Sequence, residues 1–444
     1  MSLFSTLRTG ASGLGVASTD LSVIGDNIAN IGTIGYKQSR ANFADFLPQD
    51  VFSLKGGSQL GTGAVTSSVS VLFGQGSVEA TGSVSDMAIS GSGLFVVSDG
   101  VQDFYTRAGN FSEDSAGHLT LGSLRLQGYT ATDGDLSSVV GDITIDHASI
   151  PGEPTSAITL EAQLDSATDY ATTPLSALAF YGTGAGGATL SEAGAAADFS
   201  TSITIYDSLG EPHDATVLYE RTGESTWSWH AVTDATSVYD STGTAYSTTD
   251  GEAFELASGT VTFDTDGNLT SFGTPTTATG WNFAGAAEPT ISFEFGLDDA
   301  GATNDGALSM HGGGSFVTSI SQDGTATGSL SSWAVGEDGT ITGQYSNGDD
   351  RVLGQVVLAN FATTDGLQRA GQSLFMATSA AGEPVIGAPT SGGFGTLYGY
   401  ALEKSNVELE DQFVMMISAQ RSYQANSKVI STVADTLSTL MNIV

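Results

Sequence analysis

The chain has 444 residues, with 12 Lys or Arg against 49 Asp or Glu, for a formal net charge of -37 and an isoelectric point near 4.1. That balance weighs against a nucleic-acid partner or an anionic membrane surface, which need clustered cations, and no run approaches the roughly 18 apolar residues of a membrane span. Zero Cys excludes disulfides, thiol catalysis and thiolate metal sites, while 40% hydrophobic residues and a mean hydropathy of +0.05 give enough apolar content for two or three folded modules.

The ends differ from the middle. Residues 1–50 and 397–444 are nearly charge-balanced, so the acidity belongs to what lies between them. The N-terminus lacks the basic stretch and apolar core of a cleaved secretory signal, so a place outside the cell implies another route. Over the first thirty residues Leu7, Leu14, Leu21 and Ile28 recur every seven. Leu3, Ala17, Ile24 and Ile31 fill the alternate position, interrupted at Gly10. This spacing predicts a helix with an apolar seam packed lengthwise on another helix. The helix is expected to stop near 27–35, where Asn30, Gly32 and Gly35 can take positive φ. Residues 31–75 are Gly-punctuated and read as a connector that lets layers tilt.

The middle reads as β. Residues 158–164 alternate as Ile158, Leu160, Ala162 and Leu164, and 202–206 continue in that style. Residues 261–263 and 269–272 flank the turn 264–268 as a hairpin, and 333–335 with 340–345 form another. Residues 165–200, rich in Ala, Gly and Thr, read as loop or peripheral strand. The last forty residues return to heptads: Leu409, Met416, Tyr423, Ile430, Leu437 and Val444, with Phe413, Gln420, Ala434 and Met441 between. Ser405 or Asn406 is the expected N-cap, ahead of an acidic first turn. Val429, Val433 and Leu440 add a second stripe, more than one partner helix covers. The fold class that follows is α+β and multidomain: both terminal helices paired as a coiled coil, with nested, mainly-β domains inserted between them.

No enzyme, cofactor or metal site emerges. The five His residues (118, 147, 213, 230 and 311) show no metal-ligand spacing, and Gly-rich 182–187 lacks the strand and helix of a dinucleotide site. Asp264-Thr-Asp266-Gly-Asn268 resembles the start of a calcium loop, but its Gly comes early and the distal Glu is missing, so a hairpin turn is the simpler reading. Adjacent acids such as Asp298-Asp299 and Asp349-Asp350 read as solvated surface.

Residues 27–37, Asn27-Ile-Ala-Asn30-Ile-Gly-Thr33-Ile-Gly35-Tyr36-Lys37, resemble the N-x-x-N-x-x-T-x-G-[FY]-K signature of the bacterial flagellar rod and hook axial protein family. Ala401-Leu-Glu-Lys-Ser405-Asn406-Val407 and Gln420-Arg421-Ser-Tyr423-Gln-Ala-Asn426 are similar to its C-terminal signature. The stretches 89–97, 105–111 and 352–361 look like its middle, in family order. The length and the large insert look like the hook members of the family. A distal-rod or hook-associated axial protein is the alternative, and an acidic surface-layer or adhesin-like β protein is the alternative outside it.

The resemblance implies a homopolymer forming a hollow, flexible tube that acts as a universal joint for motility, in the extracellular hook of the basal body. It implies type III export without a cleaved signal, through a channel that a Cys-free chain can pass unfolded. It also implies the distal rod, hook cap, hook–filament junction proteins and export apparatus as partners, with no nucleic acid and no membrane insertion. Four domains follow: 1–30 with 403–444 (helical), 31–75 (connector), 76–145 with 328–396 (inner β) and 146–327 (outer β). The assembly core is expected at Leu7, Leu14, Leu21, Ile24, Ile28, Leu409, Phe413, Met416, Tyr423, Ile430 and Leu437.

Overall fold

The computed structural model describes residues 3–47, 49–51, 58–170, 173–296 and 308–443. Helix α1 (Leu3–Ala29) and helix α3 (Leu409–Ile443) bracket a middle of strands in which one short helix, α2 (Leu190–Ala196), appears. The chain divides into two compact units. The first comprises Met1–His147, Ser331–Gln344 and Asp350–Val444, and the second Ala148–Leu330 with Tyr345–Asp349. The second is thus inserted in the first along the sequence.

In the first unit α1 and α3 pack on each other antiparallel: Gly10 faces Ile430, Gly13 faces Asn426, and Asn27 bonds Gln412 near the start of α3. Gly10 is no interruption of the seam. A Cβ there would lie 3.0 Å from Ile430 Cγ1, and one on Gly13 2.7 Å from the Asn426 side chain. Glycine costs about 1 kcal/mol in a helix relative to Ala, and here it permits the close approach of the two backbones. The most buried seam residues are Ala17, Ile24, Ala419 and Val433, with Gln412 beside them. Leu7, Leu14, Leu21, Ile28, Met416, Ile430 and Leu437 flank them half-buried. The strands 39–45 and 64–71 pair as a separate antiparallel hairpin, where Ser12 Oγ of α1 accepts from Ala64 N. The main sheet of this unit centres on Leu94–Ser98, buried throughout and flanked by Asp103–Thr106 and Leu124–Thr132.

The second unit is a β structure around an aromatic core. Strands Phe199–Tyr206, Pro212–Arg221, Thr226–Asp234, Ala253–Phe263 and Leu269–Phe272 follow one another in an antiparallel sheet. Ala157–Asp165 alternates half-buried and buried as expected, with Ile158, Leu160, Ala162 and Leu164 inward. It pairs with Ser292–Glu294, Ser309–His311 and Phe316–Gln322. Trp227, Trp229, Phe254, Phe283 and Phe293 fill the core with these residues.

Residues 165–200 are not merely loop. Thr189 and Glu192 form a reciprocal capping box for α2, and Leu175, Phe180, Ala188 and Ala193 pack on Leu218, Val232 and Ala253 as a satellite core. The signal was a Thr-x-x-Glu start, obscured because Ala and Gly dilute the period. The 264–268 turn holds as a hairpin turn. Asp264 Oδ1 accepts from Asp266 N at 2.9 Å and Asn268 N at 2.8 Å, and Oδ2 accepts from Asn268 Nδ2 at 3.1 Å. These bonds, led by the Asn268 amide, hold the carboxyl below its ordinary 3.8. Asp298 and Asp299 lie outside the described residues.

This unit carries 25 Asp and Glu and a single cation, Arg221. Its guanidinium is spent on the carbonyls of Ser166, Thr168, Gly223 and Glu224 and lies over the Tyr170 ring. The like charges therefore go uncompensated and repel, with a reach set by the Debye length, about 30 Å at 0.01 M salt and 3 Å at 1 M. Raising NaCl from 0.01 to 0.5 M is expected to raise the melting temperature of this unit by several degrees. Calorimetry of the whole chain that finds no rise would remove repulsion as a determinant of its stability.

Candidate functional site: the helix pair and the motif knot at its base

Where α1 ends, the chain must leave the helix and enter the β body, and it does so through the 27–37 signature and the two residues after it. Asn30 closes the helix from its own side chain, donating to Asp26 O at 2.9 Å and accepting from Thr33 Oγ1 at 3.2 Å. Of the three residues expected at positive φ, only Gly35 is there, at +64°. Its amide donates to Glu403 O at 2.8 Å, and a Cβ would stand 2.3 Å from Ala108 N. Asn27, 2% exposed, behaves as a piece of strand: Nδ2 donates to Ser39 O, Oδ1 accepts from Ser39 N, both at 2.8 Å, and Nδ2 also reaches Gln412 Oε1 at 3.1 Å.

The C-terminal signature meets this segment directly. Asn406 is not an N-cap: Oδ1 accepts from Gln38 N at 2.8 Å, and Nδ2 donates to Leu72 O and Gly74 O. Ser405 Oγ accepts from Val407 N at 3.3 Å, and α3 starts later, at Leu409, with Glu410 and Asp411 in its first turn. Residues 35–39 of the segment read as a connector are therefore mostly buried and tied to the strand that feeds α3.

At the centre lies a charge cluster. Glu403, fully buried, accepts from Lys37 Nζ at 2.6 Å, from Gly76 N at 2.8 Å and from Arg107 Nη1 at 3.1 Å. Lys37 also donates to Gly74 O at 2.7 Å, and Arg107 to Ile89 O and Gly91 O. Two cations share one carboxylate. Burial pushes the Lys37 ammonium below its ordinary 10.5; Glu403 opposes that shift and Arg107 adds to it. Beside this, Arg369 lies 4.8 Å from the Tyr36 ring centre, bonds the Tyr36 hydroxyl and Lys37 O, and pairs with Asp26 at 3.4 Å.

The fold brings Asn27, Gly35, Tyr36, Lys37 and Asn406 together. It leaves Gln420, Arg421 and Tyr423 exposed on α3. Sequence reasoning missed Glu403, Arg107, Gln412 and Arg369. Glu403 and Arg107 lie within the signature stretches, and a chain with only 12 cations places two of them in one buried cluster. Nothing in the local sequence marks Gln412 or Arg369.

Along α3 several apolar side chains remain uncovered: Leu409, Phe413, Val414, Ile417, Tyr423 and Val429 are each 40–68% exposed, and of these Phe413, Val414 and Ile417 point away from the side that packs on α1. A solvent-facing surface of that kind marks an interface.

Comparison with known proteins places these features. Residues 7–37 match the family model for flagella basal body rod proteins, 182–325 that for the flagellar basal body protein FlaE D2 domain, and 399–443 that for the flagellar basal body rod FlgEFG protein C-terminal region. The flagellar hook protein FlgE of Salmonella typhimurium is 34% identical over 97% of this chain and 98% of its own. That of Treponema pallidum is 31% identical over 99% of each, and that of Brucella abortus 29% over the full length of each. With both terminal signatures joined in one buried knot and the likeness running end to end, the chain belongs to the flagellar hook protein family, structural subunits of the bacterial flagellum rather than enzymes.

Proposed function

We propose that this subunit polymerises through its terminal helices into the hollow tube of the hook, with copies of itself covering the outward face of α3. The observation that carries this is the set of exposed apolar residues on a helix that already packs on α1, with Phe413, Val414 and Ile417 on its outward side. Each such side chain, once buried, contributes roughly 1.5–3 kcal/mol, so several together can hold a polymer. The paired helices act in the tube as a coiled-coil inner layer, built from residues 1–30 and 403–444 around Leu7, Leu14, Leu21, Ile24, Ile28, Leu409, Phe413, Met416, Tyr423, Ile430 and Leu437. Residues 76–145 with 328–396 form an inner β layer and 146–327 an outer one. Residues 31–75 act as the connector between the layers, their first part, through Ser39, held by Asn27, Asn406 and Glu403. The subunit works outside the cell, exported unfolded by the flagellar export apparatus. It meets the distal rod below, the hook cap during growth and the hook–filament junction above.

Phe413→Asp tests this. Phe413 is 48% exposed, so the variant should fold as the native chain does, with stability within about 0.5 kcal/mol, and yet form no tubes by negative-stain electron microscopy. Normal tubes from this variant would contradict the proposal.

A further inference from the structure

Gly13, Asp20 and Asn27 stand seven residues apart on α1 and share one line, drifting only about 20° per step. Both outer members touch α3: Gly13 faces Asn426, and Asn27 bonds Gln412. Midway between these two antiparallel pairs, Asp20 comes opposite Ala419, which is buried, as are Ala17 and Ile24 on either side of Asp20 in the seam. The same line borders the hairpin of 39–45 and 64–71, since Asn27 bonds Ser39 and Ser12, next to Gly13, accepts from Ala64 N. Asp20 therefore sits where α1, α3 and the hairpin meet.

The two polar members of the line fare differently. Asn27 is met by Ser39, Gln412 and the Tyr36 hydroxyl. The carboxylate of Asp20, half-buried, makes no hydrogen bond or ion pair among the described residues. No cation is turned towards it from α3, where Tyr423 is the titratable group on the near side and Arg421 and Lys428 lie on the opposite side of the helix. The hairpin carries Arg40 and Asp45, both exposed. On α1 itself the nearest charges are Arg8 and Asp26, and Asp26 is paired with Arg369.

We infer that Asp20 is a proton-operated latch on α1: ionised, it lies in the three-way junction without a partner and loosens the docking of the helix, and a proton on it tightens that docking. A carboxylate taken out of water costs free energy unless it is paired or hydrogen-bonded. Burial accordingly pushes the Asp20 carboxyl above its ordinary 3.8, so the docked helix holds the proton more firmly than the undocked one. Docking is then strongest below 3.8 and weakens as pH rises through the raised value. Turn acids act in the opposite sense. Asp114 and Asp264 are held below 3.8 by backbone amides, first those of His118 and Asn268, and what they contribute is lost as pH falls. The latch belongs to one chain's own helix pair and does not depend on the assembly proposed above.

Hydrogen exchange of the full chain at micromolar concentration, read in peptides covering 13–27 and compared at equal pH, tests this. Asp20→Asn keeps the shape and nearly the helix propensity while removing the charge. It should slow exchange there about threefold or more at pH 7, the low end for an unpaired polar group removed from water. The difference should shrink towards pH 4.5 as the native carboxyl takes up its proton. Asp20→Ala, also neutral, should show the same pH dependence relative to the native chain. Peptides covering 226–234 in the second unit should exchange alike in all three chains. Equal exchange of the native chain and Asp20→Asn at pH 7, or faster exchange in the variant, overturns the inference. A difference that stays constant from pH 7 to pH 4.5 overturns it as well, by assigning the effect to packing.

Discussion

Glu403→Gln is expected to destabilise the unit that carries both termini by about 3–5 kcal/mol, the range for breaking a buried ion pair by removing one partner. The substitution keeps size and shape but leaves Lys37 and Arg107, 0% and 5% exposed at their side chains, facing each other without a counter-charge. Lys37→Met should cost less, because it leaves Arg107 and Glu403 as a one-to-one pair. The pH dependence separates this charge effect from a packing defect. Burial holds the folded Lys37 below its ordinary 10.5, so the folded state binds fewer protons than the unfolded one in the window just under 10.5. Stability is therefore reduced below that window and recovers as pH rises through it. Glu403 opposes the downward shift, so removing its charge lowers the folded value further and widens the window. The deficit of Glu403→Gln should thus narrow between pH 7 and pH 10. Urea denaturation read by hydrogen exchange in each unit measures both effects, and a deficit constant with pH would assign the loss to packing instead.

The second large effect is expected at Gly35. Gly35→Ala must hold a Cβ at φ +64° and also place it 2.3 Å from Ala108 N and 2.5 Å from Arg107 C. Strain of about 1–3 kcal/mol from the backbone adds to a similar overpacking cost, roughly 3–5 kcal/mol together. Gly122 provides the control: its φ is +65° and nothing lies within 4 Å of its Cβ position. Gly122→Ala should therefore cost only the backbone term. Asn, which tolerates this backbone region, should be nearly neutral at 122 and still damaging at 35. Equal losses at the two positions would mean that the close approach of residues 107–108 contributes nothing.

The two helices and the β middle were legible because heptads and alternation report local periodicity, and local periodicity survives into the fold. Leu7, Leu14 and Leu21 announced α1, just as Ile158, Leu160, Ala162 and Leu164 announced their strand. The closest helix contact was not legible. Gly10 and Gly13 carry no apolar signal, so hydropathy marks as a gap the place where the backbones come nearest. The knot was half legible: its residues lay in recognisable stretches, but their meeting depends on partners hundreds of positions away. Asn406 illustrates this. Its local context suggested a helix cap, whereas Gln38 N, Leu72 O and Gly74 O claim its side chain. No window of sequence contains that competition.

The Lys37–Glu403 contact also joins distant parts of the chain. Its partners are 366 positions apart, and closing a loop of that length costs about 5 kcal/mol in chain entropy. Pairing within the inserted unit shortens the effective loop, since Ile150 and Gly328 exchange backbone hydrogen bonds at 2.8 and 3.1 Å and bring its entry and exit together. The knot is sealed by Glu403, which follows both cations in the chain. A chain cut short of residue 403 keeps both cations hydrated and cannot dock α1 in its final place. Docking of α1 is thereby tied to the C-terminal segment that begins at Glu403.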